Sequence, residues 1–172
     1  MKMKFSLDRN TFVAKKLGNL NGESILDIGC RDMVLKTHLK GSFEYTGLDF
    51  NNPNDQNKYT KILNHNLENG LPDNLEKFDI INALDVLEHL ENIHSVFNAL
   101  FDNSKNKIVI ALPNMAYYKF RLNFLLTGIL SKKYLFSEKK IGDRHRWIPN
   151  YYSINSFIKE NTPSNWDAKF FY

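Results

Sequence analysis

Ser24-Ile25-Leu26-Asp27-Ile28-Gly29-Cys30, followed by Tyr45-Thr46-Gly47-Leu48-Asp49, is the stretch that decides the fold. The first segment is a short apolar run ending in an acid and a glycine. That pattern suits a buried parallel strand whose carboxyl end turns sharply. The second is another apolar strand ending in an acid. In open α/β sheets ligands bind outside the carboxyl ends of the strands, and an acid closing the second strand is placed to hold a ribose diol. The two segments together predict a nucleoside pocket.

Working outward, Asp8 to Leu17 reads as an amphipathic helix with Phe12, Val13 and Leu17 on one side, ending near Gly18 and capping that pocket. Val34 to Leu39 follows the first strand as a helix, Lys61 to Leu63 is a third strand, and Asn69-Gly70-Leu71-Pro72 is a turn. Phe78 to Leu84 is a fourth strand, Val86 to Leu100 a helix, and Lys107 to Leu112 a fifth strand stopped by Pro113. The Asn51 to Asn57 stretch is a polar loop. Strands alternating with helices predict an α/β, doubly wound, mainly parallel Rossmann-like sheet.

From Met115 the pattern changes. Tyr117 to Leu130 is an apolar and aromatic helix, followed by a basic loop from Ser131 to Arg146. Residues 115–150 are thus expected to form an insert, or lid, within a single domain spanning 1–172. The helix contains Lys119, Arg121 and Asn123 and is too short and polar to span a bilayer. It is expected to lid the active site or pack on a partner, which leaves an oligomer open. Peripheral membrane contact is the lesser alternative. The chain closes on Lys169-Phe170-Phe171-Tyr172, a strand-like run that predicts either the terminal strand of a reduced sheet or a chain cut short.

With 172 residues, 42% of them hydrophobic, the chain can bury one substantial core. A net charge of +4 falls short of a nucleic-acid signature, and the basic residues are dispersed, so no nucleic-acid partner is expected. The single cysteine, Cys30, cannot form an intrachain disulfide, and the amino end lacks an apolar run long enough for a signal peptide. Both point to a cytoplasmic location.

Four segments in register carry a resemblance: Asp27-Ile28-Gly29-Cys30; Gly47-Leu48-Asp49; Asn66-Leu67-Glu68-Asn69-Gly70-Leu71-Pro72; and Phe78-Asp79-Ile80 leading to Asp85-Val86-Leu87-Glu88-His89-Leu90. In order and spacing they resemble the motifs of class I S-adenosylmethionine-dependent methyltransferases. The Val86 to Leu90 segment with Leu112-Pro113-Asn114 looks most like the subgroup of methionine-biosynthesis W-type proteins. The resemblance implies S-adenosyl-L-methionine as cofactor and a small-molecule, carrier-linked or lipid-linked methyl acceptor. Asp27, Gly29 and Cys30 would shape the loop facing the methionine part of the cofactor. Asp49 would bind the ribose hydroxyls and Phe50 would lie against adenine. Asn66, where the family usually has an acid, and Leu67 would meet the adenine amino edge. Leu84 and Asp85 would line the methyl-transfer site.

The departure is in the glycine loop, which runs Gly-x-Gly-x-Gly in the family and Gly29-Cys30-Arg31-Asp32-Met33 here. Side chains at Arg31 and Met33 would crowd the cofactor or require unusual backbone angles. The alternative reading is therefore a degenerate subunit that keeps the fold to grip a partner. A nicotinamide-dependent oxidoreductase predicts Gly-x-Gly-x-x-Gly, which Arg31 and Val34 break.

An activated sulfonium needs mainly alignment of the acceptor, plus a base where the nucleophile carries a proton. His89 and His145 are the candidate bases, with Asp85 beside them, and the other reading of His89 is that the Glu88-His89 pair caps and orients the following helix. The loop Asp143-Arg144-His145-Arg146-Trp147 is either an anion clamp for a carboxylate or phosphate on the acceptor or a surface salt-bridge loop. Asp85-x-x-Glu88-His89 also resembles the acidic set with which some O-methyltransferases hold a divalent ion. No further ligand can be assigned from the sequence, so no metal is expected.

Overall fold

The computed structural model describes residues 8–50, 61–131, 134 and 144–171. The predicted loop over 51–57, most of the predicted basic loop, including Asp143, and Tyr172 lie outside these residues.

Helix α1 (Arg9–Leu17) starts at Asp8, whose side chain accepts from the Thr11 amide at 3.2 Å. It stops at Gly18, whose amide donates to the Ala14 carbonyl at 3.0 Å. Strand β1 (Asn19–Ile28) is followed by a 3-10 turn at Val34–His38 and by β2 (Lys40–Asp49). Both strands begin several residues earlier than Ser24 and Tyr45, because their amino halves pair with each other from Asn19 opposite Lys40 onward. Strands β3 (Lys61–Asn64), β4 (Phe78–Leu84) and β5 (Ser104–Ala111) complete a parallel sheet of order β3-β2-β1-β4-β5. The chain leaves β1 toward one edge and returns at β4 toward the other. The crevice between their carboxyl ends is the topological switch point.

The period-two alternation of the strands sends residues to two different cores. Leu26, Ile28, Leu48, Ile81 and Ala83 pack against Val96, Phe97 and Leu100 of helix α2 (Ile93–Asn103). On the opposite face Ile25, Tyr45 and Ile80 pack with Leu20, Cys30 and Met33. Beside them Leu84 meets Val13 of α1 and Leu35.

A helix spanning Val86 to Leu100 does not form. Leu87–His89 is a 3-10 turn and α2 begins only at Ile93. The main-chain carbonyls that a longer helix would use are taken from outside. The Arg146 amide donates to the Glu88 carbonyl (2.9 Å), Arg146 Nε to His89 (3.1 Å) and Trp147 Nε1 to Leu90 (2.7 Å).

Helix α3 (Tyr118–Thr127) lies within the predicted aromatic helix and has no buried residue. Its Leu125 and Leu126 are 80% and 73% exposed. No described helix is long and apolar enough to cross a membrane. Helix α4 (Tyr151–Asn161) is an element the sequence reading missed. Its signal is Asn150, whose side chain accepts from the Tyr152 and Ser153 amides while Ser153 Oγ accepts from the Asn150 amide. It sits over α2, with the Phe157 and Phe97 rings 4.9 Å apart.

The strand expected at Lys169–Tyr172 is not formed among the described residues, which end at 171. Phe171 instead meets Phe12 edge-on at 6.0 Å, and Lys16 Nζ lies 3.9 Å above its ring. An aromatic–cation contact with α1 replaces sheet pairing.

Candidate functional site

The loop after β1 keeps the backbone of a glycine-rich turn without its glycines. Gly29, Arg31 and Met33 all have positive φ, at 66°, 45° and 52°. These are the three positions of the Gly-x-Gly-x-Gly pattern. A left-handed residue with a β-carbon costs roughly 1–2 kcal/mol, so the conformation must be held from outside. Asp49 holds it: its Oδ2 accepts from the Arg31 amide at 3.0 Å. The Gly29 amide donates to the Leu48 carbonyl at 2.7 Å, and the Met33 amide to the Cys30 carbonyl at 2.7 Å.

The two added side chains do not share one environment. Met33 is 4% exposed and enters the core beside Cys30, whereas Arg31 is exposed. Gly29 cannot be replaced as freely. A β-carbon there would lie 2.4 Å from Val86 Cγ2, so the loop after β1 touches the turn after β4 at that point. Gly47 plays the same part under the loop, where a β-carbon would come within 2.7 Å of Cys30 Sγ.

Asp27, at the end of β1, is 4% exposed and accepts a hydrogen bond from the Tyr45 hydroxyl. Burial pushes its carboxyl up to about 6, against the opposing pull of the Tyr45 hydrogen bond and of Arg9. Asn82, directly opposite Asp27 in the β1–β4 register, is fully buried. Neither amide atom of Asn82 has a hydrogen-bond partner among the described residues. Tyr45, Asn82 and Arg9 escape a reading of motifs. A buried asparagine inside an apolar strand is the one signal the sequence offered.

Cys30 contributes only its backbone to the loop. Its side chain is in the core, and burial, reinforced by Asp27 and Asp49, raises the thiol to about 12, so it stays protonated. Phe50, by contrast, is 64% exposed at the end of β2. The Asn66 side chain caps a short 3-10 turn at Leu67–Asn69, its Oδ1 accepting from the Glu68 amide at 3.1 Å. The Leu67 and Leu84 side chains both face the interior.

Asp85 also has positive φ (53°), turning the chain sharply after β4. Its carboxylate is ion-paired with Arg9 of α1. The acid read as a companion of His89 is thus directed to the amino-terminal helix.

His89 and His145, far apart in sequence, are brought together. Their rings meet edge-on at 4.6 Å, and each Nε2 lies 3.9 Å from Glu88 Oε1. The three side chains are 20%, 5% and 1% exposed for His89, His145 and Glu88. Their ligand-type atoms all fall within 4.8 Å of one another, the one such group among the described residues. Arg146 is engaged by protein carboxylates, with Glu68 at 3.2 Å and Glu91 at 3.0 Å. It staples the 144–150 segment to the turn after β4, which is the salt-bridge role open to this loop from its sequence.

Solved structures share this architecture. A protein from Bacillus halodurans described as a methyltransferase superposes with a TM-score of 0.62 at 12% identity, covering 90% of this chain and 68% of its own. A protein from Listeria monocytogenes described as an S-adenosylmethionine dependent methyltransferase gives 0.50 at 12% identity, covering 85% of this chain and 68% of its own. The plantazolicin methyltransferase, in complex with a substrate analog and S-adenosylhomocysteine, gives 0.49 at 19% identity. Of that enzyme, this chain spans about half the length (49%). No curated protein matches the chain. The likeness to the Bacillus halodurans and Listeria monocytogenes proteins speaks to the fold alone. The family rests on a match that runs from residue 6 through residue 159, taking in every strand, the left-handed loop and the Glu88 turn. By that match, the chain belongs to the methyltransferase domain family.

Proposed function

We propose that this chain binds S-adenosylmethionine at the carboxyl ends of β1 and β2 and transfers its methyl group to a small-molecule, carrier-linked or lipid-linked acceptor. The observation that carries the reading is the loop at 29–33, which keeps a positive φ at all three glycine-pattern positions although two carry side chains. A chain that had lost the ligand would have no reason to hold this conformation against its cost.

The donor set suits such a ligand. Asp49 terminates β2 as a buried acid next to the loop, in place to bind ribose hydroxyls, and Phe50 offers an exposed ring for adenine. Asn66 lies at the next turn, with an amide in place of the family's usual acid. Asp27 is a carboxyl on the edge of ionisation that an incoming ammonium would tip to the charged form. When bound, the sulfonium supplies an already electrophilic methyl carbon.

The acceptor side is the region between the turn after β4, the 144–150 segment and α3, all parts of one domain in this reading. Arg9 pairs with Asp85 there, so α1 covers the site from the other side. The exposed aromatic and aliphatic side chains of α3 fit an acceptor held on a lipid or carrier, or contact with another copy of the chain. The W-type subgroup rests on the Val86 to Leu90 and Leu112 to Asn114 letters alone.

Calorimetric titration with S-adenosylhomocysteine, with NADH as comparison, tests the reading. Micromolar binding of the former alone is expected. Binding of neither would favour the degenerate-subunit alternative.

A further inference from the structure

We infer that Glu88, His89 and His145 form a binding site for a divalent transition-metal ion. The inference rests on the methyltransferase reading only in placing the site beside the acceptor. The side chains themselves carry the rest.

The hydrogen-bond partners fix both imidazole tautomers. His89 Nδ1 lies 2.9 Å from the Arg144 carbonyl oxygen, which only accepts, so Nδ1 carries the proton. His145 Nδ1 lies 3.0 Å from the Tyr134 hydroxyl, whose own proton goes to the Trp147 carbonyl at 2.7 Å. The hydroxyl must therefore accept from His145 Nδ1–H. With Nδ1 engaged in each ring, Nε2 is the atom turned to the carboxylate, and both Nε2 atoms lie 3.9 Å from Glu88 Oε1.

That arrangement is what a metal centre requires of its surroundings. Ligating histidines almost always donate their other N–H to a carbonyl, carboxylate or water, which orients the ring and fixes the tautomer. With bonds of about 2.0–2.2 Å, neighbouring ligand atoms sit about 3–3.5 Å apart, so the two 3.9 Å separations to Glu88 close by about half an ångström, and no pair of ligand atoms starts more than 4.8 Å apart. Two imidazoles and one carboxylate favour zinc, iron or cobalt over magnesium. The set differs from the Asp85-x-x-Glu88-His89 spacing in the sequence, because Asp85 is paired with Arg9 and His145 takes its place. Three protein ligands leave coordination positions for water or an acceptor oxygen, which a bound cation would make more acidic. The substrate class this implies is an acceptor with a metal-ligating oxygen.

The test is titration of chelator-treated, dialysed protein with Co²⁺ alone, read by visible d–d absorption and by calorimetry. One equivalent is expected to bind. His145→Ala and His89→Ala should each weaken binding at least tenfold, and Tyr134→Phe, which removes the His145 acceptor and keeps the ring, by about tenfold. His94→Ala, exposed on α2, should change nothing. The same samples are titrated with S-adenosylhomocysteine to show that each variant is folded and to separate the two readings. Retained S-adenosylhomocysteine binding with no Co²⁺ bound would overturn the metal site and leave the cofactor assignment standing. Co²⁺ bound equally by wild type, His145→Ala and His89→Ala would also overturn it.

Discussion

Asp27→Asn tests whether the acid at the end of β1 is held in the protein at a cost. The carboxyl is raised from 3.8 to about 6, chiefly by burial. At about 1.4 kcal/mol per pH unit, ionising it in the folded chain costs about 3 kcal/mol more than in the unfolded chain. For an acid raised on folding, the native state binds more protons between the two values. Stability is therefore full below about pH 4, falls as pH rises toward 6, and is level above it. The amide introduced by the substitution would still accept from the Tyr45 hydroxyl but could not ionise. Urea unfolding of both proteins at pH 4, 5, 6, 7 and 8 should show near-equal stability at pH 4. The variant should gain about 2–3 kcal/mol by pH 8, the lower end reflecting an amide that must find its own acceptor. A difference that stays flat across the series would refute the argument that burial dominates at Asp27. A difference of opposite slope would mean that Arg9 and Tyr45 win.

The left-handed loop yields a paired prediction. Arg31→Gly relieves a strained, exposed position and should leave thermal stability unchanged or raise it by about 1 kcal/mol. Met33→Gly relieves the same strain but empties a core site, and should lower stability by about 2 kcal/mol or more in the same melt. Asp49→Ala removes the acceptor of the Arg31 amide, so S-adenosylhomocysteine affinity should drop at least tenfold by calorimetry, and an unchanged dissociation constant would remove Asp49 from the site. Phe97→Ala, at the centre of the Phe97, Phe101 and Phe157 rings, should cost about 3–5 kcal/mol in urea unfolding. Arg9→Ala breaks a half-exposed ion pair and should cost less than about 1 kcal/mol, so a larger loss would mean that α1 is held to β4 chiefly by this pair.

The sheet was legible because the carboxyl halves of its strands are largely apolar and buried, whereas the polar amino halves of β1 and β2 hid where those strands begin. Phe78–Leu84 is the same strand in sequence and structure, since it is central and buried on both faces. The helix expected from Val86 was misread because periodicity reports only the local chain. The carbonyls of Glu88, His89 and Leu90 turn outward to donors on Arg146 and Trp147, far along the chain. The closing Lys169 to Phe171 run has strand-like letters, yet the described part of it meets α1 through Phe171.

By itself the sequence determined the strand order of chemistry: an acid and a glycine after β1, an acid after β2, and a Glu-His pair after β4. Those are local features, fixed by which residues can sit at the carboxyl end of a buried strand. Only the tertiary structure decided that Arg31 and Met33 keep a glycine backbone, because the restraint comes from Asp49 on the neighbouring strand. Only it decided, too, that Asp85 turns to Arg9 while His145 joins Glu88 and His89. Tautomer, pairing and convergence depend on atoms brought close by folding, and no spacing along the chain encodes them.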